Sequence, residues 1–193
     1  MARKSKIIRE TKETNISLSL DVDGSGNYDI STPIPFLNHM LELFSKHSGI
    51  DIDADIKGDL KVDEHHTVED TAIVLGKAIN QALGEKLRIA RYGFLLPMDE
   101  ARAETAIDFS GRPYLVWKVK FKTKKVGDVP TDMFEHFFKS FCDHAGCNLF
   151  IKAKGKNDHH KIEAIFKSLA RATKNALRRS SSETGIPSTK GTL

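Results

Sequence analysis

The sequence predicts an α+β fold built twice over, with four amphipathic helices packed together and a mostly antiparallel sheet on either side. Three observations point there. The second half of the 193-residue chain repeats the first. Short runs of apolar residues alternate with polar ones, the period of a half-buried strand. Between those runs apolar residues recur at helical spacing.

The repeat comes first because it fixes the rest. FLNHMLELFSKHSGI, from Phe36, falls on MFEHFFKSFCDHAGC, from Met133, so that His39 meets His136, His47 meets His144 and Gly49 meets Gly146. After a three-residue difference in length, His65-His66-x-x-Glu69 falls on His159-His160-x-x-Glu163, and Ala82-Leu83 on Ala176-Leu177. Glu13-Thr14 and Glu104-Thr105 form a weaker echo. All eight histidines take part. The halves are residues 1–90 and 91–180, related by pseudo-twofold symmetry, with 181–193 as a C-terminal tail.

Each element follows in order. Ile16, Leu18 and Leu20 form one alternating strand. Phe36, Leu37, Met40, Leu41 and Phe44 form a helical stripe. Ile50, Ile52, Ala54 and Ile56 alternate with Asp51, Asp53 and Asp55 in a second strand. A second helix, starting just after His65-His66, carries Ala72, Leu75, Ile79 and Leu83. The copy repeats this with a strand through Leu115, Trp117, Val119 and Phe121, a helix through Phe134, Phe137, Phe138 and Phe141, and a strand over Leu149 to Ala153. Its last helix carries Ile162, Ile165, Phe166, Leu169, Thr173 and Ala176.

Composition narrows the function classes. At 39% apolar and 29% charged the chain reads as a soluble globular protein long enough to bury its own core. The net charge of +4 sets 30 basic against 26 acidic residues dispersed along the same segments. Only RATKNALRRS is densely basic, so a phosphorylated small molecule suits the chain better than nucleic acid. Cys142 and Cys147 form no CxxC and read as buried thiols. No run approaches the about 18 apolar residues of a membrane span, and the charged N-terminus is followed by no apolar leader segment, so the expected location is the cytoplasm.

The histidines carry the chemistry. On a helix, positions four apart lie about 40° from each other and positions three apart about 60°, so Glu69 shares a face with His65 or His66. Adjacent imidazoles diverge by about 100°, so each serves a different ion. His39 and His136 are the natural further ligands, one from each half. His47 lies about 12 Å along the helix from His39 and needs another role; a structural histidine beside a glycine turn is the plain alternative for it and for His144. The eight residues His39, His65, His66, Glu69, His136, His159, His160 and Glu163 divide into two sites of three imidazoles and one carboxylate. That donor set suits Mn, Fe, Co, Ni or Zn. A single HHxxE reads as readily as a polar helix face, but two copies at matched positions do not.

The motifs FLNHML, HSGID, DEHHTVEDTAIVLG, RYGFLLPMDEARAETAIDFSGRPYLVW, EHFFKSFCDHAG, HHKIEAIFKSLARA and STKGTL together resemble the imidazoleglycerol-phosphate dehydratase family over nearly the whole chain. The resemblance implies two half-domains like the second domain of ribosomal protein S5, with a helical layer between two four-stranded sheets. It implies a lyase that dehydrates D-erythro-imidazole-glycerol phosphate to imidazole-acetol phosphate in histidine biosynthesis. It further implies two Mn2+ ions per active site, other divalent transition metals being possible, held by the same eight residues, and a 24-subunit shell whose sites join neighbouring subunits. Glu13 is the implied base, and His47 or Asp99 the implied proton donor. Arg91, Arg112, Lys167, Ser188, Thr189 and Lys190 match the family's phosphate and substrate contacts, with Glu13 also at the substrate. Taken alone, Arg112 reads as a turn residue and Lys167 as a solvated helix position. A metal-storage shell would explain the ligands but neither SGRP nor STKG.

Overall fold

The computed structural model describes residues 2–179, 185–188 and 190–191, with the backbone alone for 92–96. The first half runs β1 (Lys4–Glu10), β2 (Thr14–Asp21), β3 (Tyr28–Ser31), α1 (Pro35–Ser48), β4 (Asp51–Gly58) and α2 (His65–Leu83). The second runs β5 (Tyr92–Met98), β6 (Ala101–Asp108), β7 (Tyr114–Lys118), a short hairpin of β8 (Lys125–Val126) and β9 (Val129–Pro130), α3 (Asp132–Ala145), β10 (Asn148–Lys154) and α4 (Asp158–Leu177). The sheets have matching orders, β1-β2-β4-β3 and β5-β6-β10-β7. Each is mixed: β3 and β7 join their sheets in parallel, and the other pairs are antiparallel.

Alternation decides which face of each sheet is covered. Along β2, Ile16, Leu18 and Leu20 are buried opposite Ile56, Ala54 and Ile52 of β4. This places an aliphatic layer under α2, which packs on β1 and β2, while α4 covers β5 and β6 in the same manner. Between the sheets α2 lies against α3 and α1 against α4, so every helix meets one from the other half. Gly76 permits the first crossing: a Cβ there would sit 2.8 Å from the Phe141 carbonyl oxygen and 3.0 Å from the Ala145 nitrogen. A ring cluster of Phe36, Phe121, Phe134, Phe137, Phe138 and Phe166 with Trp117 fills the space towards the second sheet. The repeat-matched Gly49 and Gly146 end α1 and α3 in the left-handed conformation, at φ 79° and 63°.

Three expectations need correction. The strand through Leu115 stops at Lys118, and Val119 and Phe121 lie in the segment after it. Phe121 is instead tied to the core by its rings' contacts with Phe134 and Trp117, at centroid distances of 5.9 and 6.4 Å. The second helix of each half takes in its histidines, beginning at His65 in one and at Asp158 in the other. Asp63 accepts from the His65 N–H at 2.8 Å and Asn157 from the His159 N–H at 2.9 Å, which draws both pairs into the first turn. Finally, the counterpart of Glu13 is Glu100. Asp21 pairs with Asp51, and Asp108 with Asn148, 97 positions after Asp51; β2 therefore maps onto β6 at an offset of 87, which carries Thr14 to Ala101 and Glu13 to Glu100.

Candidate metal centre

The crossed helices bring the candidate ligands together in two reciprocal clusters. His65 and Glu69, one turn apart on α2, face His136 of α3. Glu69 Oε1 lies 2.9 Å from His136 Nε2, and Oε2 lies 3.8 Å from His65 Nε2. All three present ligand atoms within 4.8 Å of one another. His136 Nε2 is buried and, among the described residues, has no hydrogen-bond partner although Glu69 Oε1 lies close by. A nitrogen and an oxygen that converge without bonding each other are placed to share a cation. Two imidazoles and a carboxylate fit a divalent transition metal.

The second cluster uses equivalent residues but is looser, since among the described residues only His65, Glu69 and His136 converge within 4.8 Å. His159 and Glu163 of α4 face His39 of α1, with Glu163 Oε1 at 3.1 Å from His39 Nε2 and 3.4 Å from His159 Nε2. The helix carboxylate of each half thus meets a histidine of the other. The remaining imidazoles turn away, their rings inclined 73° to His65 and 82° to His159. His66 Nε2 lies 3.7 Å from Glu13 Oε2, and His160 Nδ1 lies 2.8 Å from Glu100 Oε2. Each cluster therefore holds two imidazoles of this chain rather than three. Both are open: the side chains of His39, His65, His136 and His159 are 39 to 46% exposed.

Charge is distributed unevenly around them. Burial raises the pKa of the Glu163 carboxyl, but hydrogen bonds from Lys167 and His39 outweigh it and hold the group at about 2. Lys167 is no solvated helix residue, since its Nζ lies 2.9 Å from Glu163 Oε2 and 3.2 Å from Met98 Sδ. Burial, followed by the nearby Arg171 and Lys167, lowers the pKa of His47 and favours its neutral form. His144, its repeat partner, hydrogen-bonds the Ser140 carbonyl through Nδ1 at 2.8 Å and serves its own helix.

The remaining candidates sit on turns. Glu13 projects from the β1–β2 turn, where Thr11 Oγ1 accepts from the Glu13 and Thr14 N–H groups. Asp99, at φ 46°, and Glu100 connect β5 to β6. Arg91 forms a two-pronged ion pair with Asp108 and donates to the Pro187 carbonyl at 3.1 Å, bringing it to the tail. There Ser188 Oγ accepts from the Lys190 N–H; Thr189 lies outside the described residues. Arg112 is exposed in the turn after β6, its carbonyl accepting from Asn148. The thiols of Cys142 and Cys147 are buried away from both clusters. Among the described residues, no helix is long and apolar enough to cross a membrane.

Comparison with known proteins places the chain in a family. The imidazoleglycerol-phosphate dehydratase family profile matches residues 32–173. The histidine biosynthesis bifunctional protein HisB of Spirosoma linguale is 58% identical over 193 residues, covering all of this chain and 50% of that protein. Its namesake in Bacteroides fragilis is 56% identical over 191 residues, covering 99% and 51%. The chain spans about half the length of these curated relatives. The crystal structure of imidazoleglycerol-phosphate dehydratase from Staphylococcus aureus superposes with a TM-score of 0.81 at 37% identity, covering 92% of this chain and 99% of that one. The Pyrococcus furiosus enzyme, in complex with (S)-C348, gives 0.84 at 32% identity, covering 97% and 100%. This chain, with its duplicated α+β fold and paired His/Glu clusters, belongs to the imidazoleglycerol-phosphate dehydratase family.

Proposed function

We propose that this chain dehydrates D-erythro-imidazole-glycerol phosphate to imidazole-acetol phosphate, using two Mn2+ ions per active site. The observation that carries the metal reading is the reciprocal pair of clusters, His65, Glu69 and His136 against His159, Glu163 and His39, with an unpartnered nitrogen in the first. His66 and His160, turned away from the clusters of their own chain, complete the sites of neighbouring copies in a 24-subunit assembly. The large exposure of the ligands supports that reading, since open half-shells need further donors to exclude water. Bound metal supplies Lewis acidity to the substrate's imidazole ring.

The protein's own groups do the rest. Glu13, 53% exposed and 3.7 Å from His66 Nε2, takes the proton from the carbon beside the ring, and the neighbouring hydroxyl leaves as water. Asp99 or His47, in its protonated form, gives a proton to the carbon of the product enol as the enol oxygen loses its own. Lys167, Arg91, Arg112, Ser188, Thr189 and Lys190 hold the phosphate; Arg91 already contacts the tail segment that contains the last three. The halves are divided as 1–90 and 91–180, with 181–193 as the substrate-binding tail, and the enzyme works in the cytoplasm without nucleic-acid or membrane partners.

The test is a metal-stripped protein assayed with imidazole-glycerol phosphate, alone and after addition of Mn, Fe, Co, Ni or Zn. Turnover restored by at least one ion is expected. No turnover with any of them would sink the proposal.

A further inference from the structure

The register equivalence of Glu13 and Glu100 raises a question that the known chemistry leaves open. Both carboxylates sit on the turn joining the first two strands of their half, and both face the second histidine of their half's pair. They meet different atoms. Glu13 lies 3.7 Å from Nε2 of His66, too far for a hydrogen bond, and its side chain is 53% exposed. Glu100 accepts from Nδ1 of His160 at 2.8 Å through Oε2, and from the Asn157 N–H at 2.9 Å through Oε1. Asn157 in turn caps α4 through the His159 N–H at 2.9 Å. The Glu100 carboxylate is thus fixed at both oxygens and joins the β5–β6 turn to the first turn of α4.

An imidazole that donates from Nδ1 to a carboxylate keeps its lone pair on Nε2, which fixes the ring's tautomer and direction and strengthens it as a ligand. We propose that Glu100 is a positioning residue that orients His160 to offer Nε2 to a metal, a task its repeat counterpart Glu13 does not perform for His66. One carboxylate of the duplicated pair is therefore committed to holding a ligand, and the other is left at liberty. The assignment rests on the metal reading given above.

The experiment is a Mn(II) titration of the metal-stripped full chain, with free ion counted by electron paramagnetic resonance, for the wild type, Glu100→Ala, Glu100→Gln, His160→Ala and Glu100→Ala/His160→Ala. The sites that use His160 should weaken by about 10- to 100-fold in Glu100→Ala and by less in Glu100→Gln, which keeps one acceptor. The double variant should bind no more weakly than His160→Ala, because a residue acting through His160 has no effect once that ring is gone. Wild-type affinity in Glu100→Ala, or a double variant weakened by the full product of the two factors, overturns the assignment. If Glu100→Ala does not fold, as read by circular dichroism, Glu100→Gln decides: unchanged affinity in that variant overturns it. A wild type that takes up no Mn(II) overturns the metal reading itself, an outcome distinct from loss confined to Glu100.

Discussion

The cluster around Glu69 and the cluster around Glu163 use the same ligand types on equivalent helices, yet differ in what balances their charge. Glu163 is 11% exposed and pairs with Lys167 one turn further along α4; Glu69 is 32% exposed, and the position equivalent to Lys167, 94 residues earlier, is Ile73. The second cluster carries its own counter-cation, whereas among the described residues the first sets only imidazoles against its carboxylate. The anchoring differs as well. Asp70, directly after Glu69, ties α2 to the first sheet by accepting from Thr14 Oγ1 at 2.5 Å and pairing with Arg9 at 2.9 Å. In α4 Ala164 takes that place, and the helix is held instead by Asp158, which accepts from the Lys122 and Thr123 N–H groups and the Thr123 hydroxyl while pairing with Lys161. Duplication has preserved the donor set, while each half has found its own way of fixing and neutralising it.

The sharpest way to break the equivalence is to remove each carboxylate in turn. Glu69→Gln and Glu163→Gln should each lower turnover by about a thousandfold or more, the equivalent of roughly 4 kcal/mol of lost charge stabilisation. Steady-state assays that show one loss and not the other would mean that only one cluster works in catalysis.

The anchors come next. Asp70→Ala leaves Arg9 and Thr14 facing a buried gap and should cost about 3 kcal/mol in urea unfolding of the metal-free protein. The Asp158 anchor should show itself through acid. Burial raises the pKa of its carboxyl, but hydrogen bonds from Lys161 and the 122–123 segment outweigh it and hold the group at about 2, against an ordinary value of 3.8. Its contribution, roughly 2 kcal/mol, is therefore complete above pH 4 and lost as pH falls towards 2. Asp158→Asn should flatten that part of the stability profile in equilibrium unfolding, while leaving the decline that other carboxylates cause.

The smallest effect bears on the counter-cation. Lys167→Met brings the second cluster closer to the first by removing the ammonium that competes for Glu163. Mn(II) affinity there should rise about tenfold, or ~1.4 kcal/mol, while the Michaelis constant for a phosphorylated substrate worsens. Calorimetric titration with Mn(II) separates the two consequences, and unchanged affinity would show that the Lys167 contact does not compete with metal.

Much of this was legible in the residues. Ile16, Leu18 and Leu20 announced a strand because one sheet face is covered and the other is not, and the recurrence of HHxxE in register with His39 and His136 pointed to residues that the fold does bring together. The edge strand β1 was not, since KSKIIRE offers Ile7 and Ile8 side by side among charges, with Ile8 exposed. Which histidine meets which carboxylate depends on α2 docking on α3 and α1 on α4, a long-range choice that local periodicity cannot express. Glu100 stayed hidden because the offset between the halves falls to 87 across the first strands, while by residue type Glu13-Thr14 matches Glu104-Thr105, four residues on. Lys167 read as solvated because a lysine on a helix usually is, and only Met98 and Glu163 close over it.

The crossing of the helices has a mechanical consequence. His136 lies in the opposite half from Glu69, and His39 is 124 positions from Glu163, so an ion in either cluster closes a long loop through the chain. Each ion is then a staple across the seam between the halves, and an ion bound only by the docked arrangement stabilises that arrangement by mass action. Chelation should loosen the join between the two sheets before it disturbs either sheet, because neither half alone supplies a whole cluster.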